Sequence, residues 1–343
     1  MNHPAPVQDS QQLQAPDLGQ LYPDTPRFHL PHLGIWAALI VLVILSLLVA
    51  PGTLRVASLY SMLPLAGALA IAAAGQTLVV QQRGFDLSVP GTMSLTAMIA
   101  CTSVATGREL TATLGLATAA VVAVGLLNGL LVVRLAITPL VATLATNALV
   151  MGVVWTLSDG LPVAAPDALA QFVRRTPIGL PTVALIALAI VAVLAAFQTR
   201  LVAGRNFLAA GASPTAARAA GILTNRHVTA AYVASSACAG LAGVLLAGYA
   251  GTATLNIGDP YLLPAVAAVI VGGAPLKGGG GSVVATALAA LFLTQLVQIT
   301  LALGAPTSSQ LLVQSLAIVL AVLLRSMRLT AWRPYATRSE GRT

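Results

Sequence analysis

Apolar residues run continuously along most of the chain, in blocks long enough to cross a bilayer as helix. Ten blocks are predicted, at 34–50, 56–80, 87–106, 111–133, 137–157, 181–198, 228–250, 262–276, 282–303 and 310–325. A spanning helix needs about 20 predominantly apolar residues, whereas the strands of a membrane barrel would alternate apolar and polar positions. The eighth block is short and interrupted by Gly272, Gly273 and Pro275. Residues 1–33 are polar and rich in proline, which predicts a flexible tail ahead of the membrane. They are not expected to be a signal peptide, because the first apolar block begins only near Gly34. The expected organisation is therefore an N-terminal tail 1–33, a membrane domain 34–328 and a C-terminal tail 329–343.

Composition agrees with this pattern: 57% of the 343 residues are hydrophobic and 8% are charged. A soluble domain carries about 25% charged residues, and a disordered chain needs low hydrophobicity. Both classes are excluded, leaving an all-α polytopic membrane protein of about ten helices. The net charge of +8 is not a nucleic-acid signature, because the basic residues are scattered through short inter-helix loops. With the N-terminus inside and the spans alternating, four of the 17 Lys and Arg (Arg55, Arg108, Arg174 and Arg175) fall outside and all others inside. That is the asymmetry the positive-inside rule requires, and it favours an even number of spans with both termini cytoplasmic. Cys101 and Cys238 lie in separate apolar blocks and read as small packing residues.

Three polar segments stand out. The inside loop 199–227 contains Gly204-Arg-Asn-Phe-Leu-Ala-Ala-Gly-Ala-Ser-Pro-Thr-Ala-Ala-Arg-Ala-Ala-Gly221. Ser213 is a suitable N-cap, Pro214 suits the first helical position, and Gly221 suits a left-handed terminus. A two-turn helix is predicted, too short to be stable unless something packs on it. The chain's own helix ends and a partner protein are both open as its support. The segment Gln81-Gln-Arg-Gly-Phe-Asp-Leu-Ser-Val-Pro-Gly91 breaks the helix between the second and third blocks. There Asp86 is either an intramembrane functional group or a structural one, paired with Arg83 or capping the next helix. The stretch Val271-Gly-Gly-Ala-Pro-Leu-Lys-Gly-Gly-Gly-Gly-Ser282 fails the phosphate-loop pattern, since Lys277 precedes Gly278 and position 279 is Gly. It is expected to make a tight turn and a close helix approach.

Gly125 and Gly129, and Ser236 with Gly240, have the spacing of close helix contacts. Gln76, Asn128, Thr143, Asn147, Gln295 and Gln298 place polar groups within apolar blocks, where they must face protein or a water-filled path. No catalytic set or metal-ligand spacing occurs, and no acid or histidine sits mid-block to couple ion flow.

Four stretches in order resemble the permease subunit of the ribose/monosaccharide-type ABC importers, a family that also serves autoinducer-2 uptake. Gly75-Gln-Thr with Gly84-Phe-Asp-Leu-Ser-Val resembles its "GQT…GGIDLSVG" signature, and Asn128-Gly through Thr146 its "NG…L.IPPFIATLGT" stretch. Gly204 to Ile222 resembles the cytoplasmic loop "GR…A.G.N..AAR.SGI", and Pro260 to Gly279 resembles "L..IAAVVLGG.SL.GG". Arg83 stands where the family usually has a small residue, and Pro90 where it usually has Gly. The resemblance implies a bacterial inner-membrane transport subunit without a cofactor of its own. ATP would be used by two partner ATPase subunits. A second permease copy or paralogue would complete the channel, and an extracytoplasmic binding protein would deliver a monosaccharide or related small polar solute. Gly211, Ser213, Pro214, Ala216, Ala217, Arg218 and Gly221 would form the coupling helix that docks on the ATPase.

The candidate translocation path comprises Gln76, Phe85, Asp86, Ser88, Asn128, Thr143, Asn147 and Gln295. Five spans per half would orient the halves oppositely. The broken segments 84–91 and Thr254-Leu-Asn-Ile-Gly-Asp-Pro260 then fall at equivalent places, as in transporters built from inverted repeats. The alternative is an ATP-independent carrier or channel for a small polar solute; a third class is a membrane scaffold subunit.

Overall fold

The computed structural model describes residues 33–306, 308–317 and 319. The expected N-terminal tail up to residue 32, residues 320–325 of the tenth block and the tail 329–343 lie outside the described residues. The chain forms helices α1 (Leu33–Val49), α2 (Val56–Gln81), α3 (Val89–Ala105), α4 (Leu110–Val133), α5 (Pro139–Ser158), α6 (Asp167–Arg174) and α7 (Thr182–Arg200). They are followed by α8 (Val202–Ala212), α9 (Pro214–Ala219), α10 (Thr224–Ala250), α11 (Leu262–Val271) and α12 (Val283–Ala302). A further helix covers 308–317.

Every apolar block of the sequence contains helix, but among the described residues six helices are long and apolar enough to cross a membrane: α2, α4, α5, α7, α10 and α12. The 262–276 block is shorter than expected. Its helix α11 has 10 residues, about 15 Å against a hydrocarbon core of about 30 Å. It stops because Gly272 is followed by Gly273 with φ +87, a left-handed position that ends the helical ladder. The loop 199–227 is more helical than expected. Arg200 ends α7, an 11-residue helix α8 follows, and α10 begins at Thr224. One extended residue, Leu201, separates the two helices, and Ala-rich sequence then carries helix on through α8.

The loop 158–180 also carries structure. Its strand β1 (Val163–Ala164) pairs antiparallel with β2 (Thr252–Ala253), Val163 opposite Ala253. The short helix α6 buries Val173 near Gly248.

Two helices form the centre. α2 is buried from Ala66 to Gln81, and α10 packs against α2, α3, α4 and α6. Small residues allow these close approaches. A Cβ on Gly125 of α4 would lie 2.4 Å from Val233 Cα of α10, and one on Gly129 would lie 2.7 Å from Thr229. A Cβ on Gly243 of α10 would meet the Met93 carbonyl oxygen at 2.1 Å, locking α10 to α3. Such backbone-to-backbone contact is how membrane helices gain dispersion energy when lipid tails already satisfy apolar surface. By contrast α4 and α5 expose Leu114, Leu126, Leu130, Leu140, Leu144, Leu149 and Trp155, the apolar periphery that lipid would cover.

Candidate functional site

The break between α2 and α3 is positioned by a reversal at the end of α2. The Arg83 amide donates to Val80 O at 2.9 Å and the Gly84 amide to Val79 O at 3.0 Å. This is the paired closure of a Schellman motif, with Arg83 (φ 66) in the left-handed place that glycine usually takes. A left-handed L-residue costs roughly 1–2 kcal/mol. Hydrogen bonds from a charged donor contribute about 1.5–3 kcal/mol each, and Arg83 makes two. Its Nε donates to Gly211 O at 2.7 Å and its Nη2 donates to Ala212 O. Arg83 thus binds the carbonyl end of α8 and is not the partner of Asp86.

Residues 84–91 then pass through a buried polar network. The carboxylate Oδ1 of Asp86 accepts from Ser88 N at 2.9 Å and from Ser88 Oγ at 2.5 Å. Asn128 on α4 donates from Nδ2 to Ser88 Oγ at 2.8 Å. With its amide oriented to satisfy both ends, Gln76 of α2 clasps the Asp86 backbone, donating to its carbonyl at 3.1 Å and accepting from its N–H at 3.2 Å. On the α5 side, Thr143 Oγ1 accepts from Leu87 N at 3.0 Å, and Asn147 Oδ1 accepts from Gly91 N at 2.8 Å. Three helices, α2, α4 and α5, therefore hold one irregular segment, each through polar groups in an otherwise apolar run. Backbone without helical partners must be satisfied in this way inside a membrane protein.

The structure brings together Gln76, Asp86, Ser88, Asn128, Thr143 and Asn147. Half-buried Phe85 lies on the same segment. It does not bring in Gln295, whose Nε2 donates to Ser46 Oγ at 3.0 Å and Thr53 Oγ1 at 3.1 Å, joining α12 to α1 and the turn after it. Two further residues of the site, Tyr232 and Ser235 on α10, escape the sequence reading. Both are buried, and a Cβ on Gly84, at the start of the segment, would lie 2.6 Å from Tyr232 Oη. The polar atoms Asp86 Oδ2, Asn128 Oδ1, Tyr232 Oη and Ser235 Oγ make no hydrogen bond to protein. Their spacing on α10, three residues apart with Ser236 next, was the available signal. Among the described residues, no three His, Cys, Asp or Glu side chains gather as a metal site.

The second broken segment meets the first. The Gly258 amide donates to Ser94 Oγ at 3.3 Å, and a Cβ on Gly258 would lie 2.3 Å from Pro90 O.

At the other end of the break, three segments converge. Gly279 N donates to Gln81 O at 2.8 Å, Gln81 Nε2 donates to Gly281 O at 3.1 Å, and Gln198 Nε2 donates to Gln81 Oε1 at 2.8 Å. Gln82 Nε2 donates to Phe207 O of α8 at 2.7 Å. A Cβ on Gly211 would lie 1.9 Å from Gln81 O, and one on Gly279 (φ +72) would lie 2.2 Å from Ala212 Cα. The Gly-rich stretch is thus a tight turn docked under α8. Beyond it stands α9. Ser213 Oγ accepts from Ala216 N at 3.4 Å, Pro214 opens the helix, and Gly221 with φ +79 follows its end. Ala217 is buried, whereas Thr215, Ala216 and Arg218 are exposed.

A family model described as the permease component of the branched-chain amino acid transport system matches residues 58–322. A probable ABC transporter permease protein of Sinorhizobium fredii is 36% identical over 259 residues, covering 75% of this chain and 77% of its own. The ribose import permease protein of Escherichia coli K12 is 33% identical over 297 residues, covering 84% and 91%. An autoinducer 2 import system permease protein of Photorhabdus laumondii is 32% identical over 269 residues, covering 76% and 80%. No solved structure matches the chain significantly.

Proposed function

The chain belongs to the ribose/monosaccharide-type permeases of ATP-binding-cassette importers, and from that membership we propose that it carries a monosaccharide or a related small polar solute inward. It is a multi-pass plasma-membrane protein and a transport component rather than an enzyme. Its ten apolar blocks make about ten transmembrane spans, with both termini cytoplasmic. Residues 34–328 form the membrane domain between tails 1–33 and 329–343. Two copies, or this chain and a paralogue, enclose the path. An external binding protein delivers the solute, and two ATPase subunits supply the energy from the cytoplasmic side.

The observation that carries this reading is α9. It is a capped helix of 6 residues, too short to be stable by itself. It buries Ala217 and presents Thr215, Ala216 and Arg218. It stands one residue beyond α8, whose end is bound by Arg83 at the margin of the polar break. A partner seated on that exposed face touches an element that leads directly to Asp86. Gly211, Ser213, Pro214 and Gly221 set the geometry of this coupling element. Gln76, Asp86, Ser88, Asn128, Thr143 and Asn147 form the polar margin of the path, with Phe85 beside them. Relatives named for ribose and for autoinducer 2 support a polar, hydroxyl-bearing solute.

Co-purification with the cognate ATPase, followed by ATP-dependent uptake of labelled monosaccharides presented with the binding protein, tests the reading. Stable association and ATP-dependent accumulation are expected. Accumulation by the permease alone would replace the reading with that of an autonomous carrier.

A further inference from the structure

We infer that Arg83 is a positioning residue that passes movement of α8 and α9 to the segment 84–91. The inference rests on the reading of α9 as an ATPase-docking element and adds to it a specific route of transmission.

Arg83 occupies a left-handed position that closes α2, where glycine carries no steric penalty. The family resemblance puts a small residue at this place, so the arginine is a departure of this chain. What the arginine adds is its fork. Nε donates to Gly211 O at 2.7 Å and Nη2 to Ala212 O. These are the last two carbonyls of α8, which lack helical partners and carry the negative end of the helix dipole. The next residue, Ser213, is the N-cap of α9. The guanidinium therefore grips the hinge between α8 and α9.

The joint has little slack. A Cβ on Gly278 would lie 2.4 Å from Arg83 Cγ, so the arginine stem is pressed between the Gly-rich turn and the end of α8. Gln82 makes a second tie, donating to Phe207 O at 2.7 Å within α8. On its other side Arg83 leads into Gly84 and, two residues on, into Asp86, whose backbone is clasped by Gln76. A displacement of the α8–α9 hinge thus pulls on the covalent root of the polar segment. Close-packed interiors carry such shifts through discrete contacts rather than by continuous deformation.

The test uses the assembled permease–ATPase complex in lipid nanodiscs, nucleotide-free and trapped with ATP and vanadate, read by backbone hydrogen exchange. In the parent, trapping is expected to change exchange at both 202–221 and 84–91. In Arg83→Gly, which keeps the left-handed turn without strain, the response at 202–221 stays at parent level in complex that still elutes as the intact permease–ATPase assembly. The response at 84–91 falls at least about threefold. Arg83→Lys, whose ammonium has no planar fork, gives an intermediate response. A parent-like response at 84–91 in Arg83→Gly would overturn the inference alone. Absence of any response at 202–221 in the parent would overturn the docking reading and the inference with it.

Discussion

Pro90 and Gly258 stand in direct backbone contact, so close that a Cβ on Gly258 would lie 2.3 Å from the Pro90 carbonyl oxygen and 2.7 Å from Pro90 Cα. They belong to the two segments that break the helical pattern, one running into the first turn of α3 and one before α11. Their contact makes these breaks one structural unit. Gly258 is needed here for space and not for backbone freedom, since its φ of −84 suits any residue.

Gly258→Ala is therefore expected to force Pro90 and the start of α3 aside. Overpacking of this kind costs about 1–3 kcal/mol. The thermal midpoint of the purified protein, followed by fluorescence-detected size exclusion, should fall by several degrees. An unchanged midpoint would show that the two segments yield freely.

Asn128 donates to the Ser88 hydroxyl at 2.8 Å, and that hydroxyl donates to Asp86. Asn128→Ala removes one bond of a buried chain and should cost about 1–3 kcal/mol. Asn128→Asp replaces the donor by a second carboxyl beside Asp86 and should be worse than alanine in both uptake and assembly. Equal effects of the two variants would remove the carboxylate from the account.

Adjacent residues of α9 should behave differently. Ala216 is exposed and Ala217 is buried. Ala216→Trp should leave the thermal midpoint near parent while weakening ATPase association at least about tenfold, since a bulky group at a packed interface core disrupts contact. Ala217→Trp should lower the midpoint itself, because α9 can no longer seat on its own protein. Pull-down with the ATPase and thermal melting read the two effects separately.

Gln295 tests the boundary of the site. Its bonds to Ser46 and Thr53 hold α12 to the start of the chain, far from Asp86 in the hydrogen-bond network. Gln295→Leu should lower stability by about 1 kcal/mol, modestly because both hydroxyls keep a backbone acceptor. The KM for uptake should not move. A change in KM at unchanged stability would return Gln295 to the path.

What the sequence makes legible follows the range of the forces involved. The end-signals of α9 are local, Ser213 and Pro214 in front and Gly221 behind, and the structure has them in those roles. The helical segments are legible because hydropathy is a property of a window. The polar residues of the 84–91 network are legible as polar groups in apolar runs, but their partners are not. Nothing near Gln295 in the sequence separates it from Asn128, and only packing shows that one joins α12 to α1 while the other reaches Ser88. Arg83 looks like a partner for Asp86 three residues away. The left-handed turn sends its side chain to α8 instead. The approach of Gly278, Gly279 and Gly211 depends on contacts separated by more than sixty residues, so the purpose of those glycines becomes visible only when the helices are assembled.

In the proposed function, solute crosses through this chain with energy from a separate ATPase engaged through α9. The most direct measurement is solute accumulation in proteoliposomes containing the permease, its ATPase and its binding protein, scanned across labelled monosaccharides. Accumulation of at least one sugar is expected with ATP, none with ADP, and loss in Ala216→Trp at normal permease incorporation. Accumulation by the permease alone, or undiminished accumulation in Ala216→Trp, would contradict the proposed function.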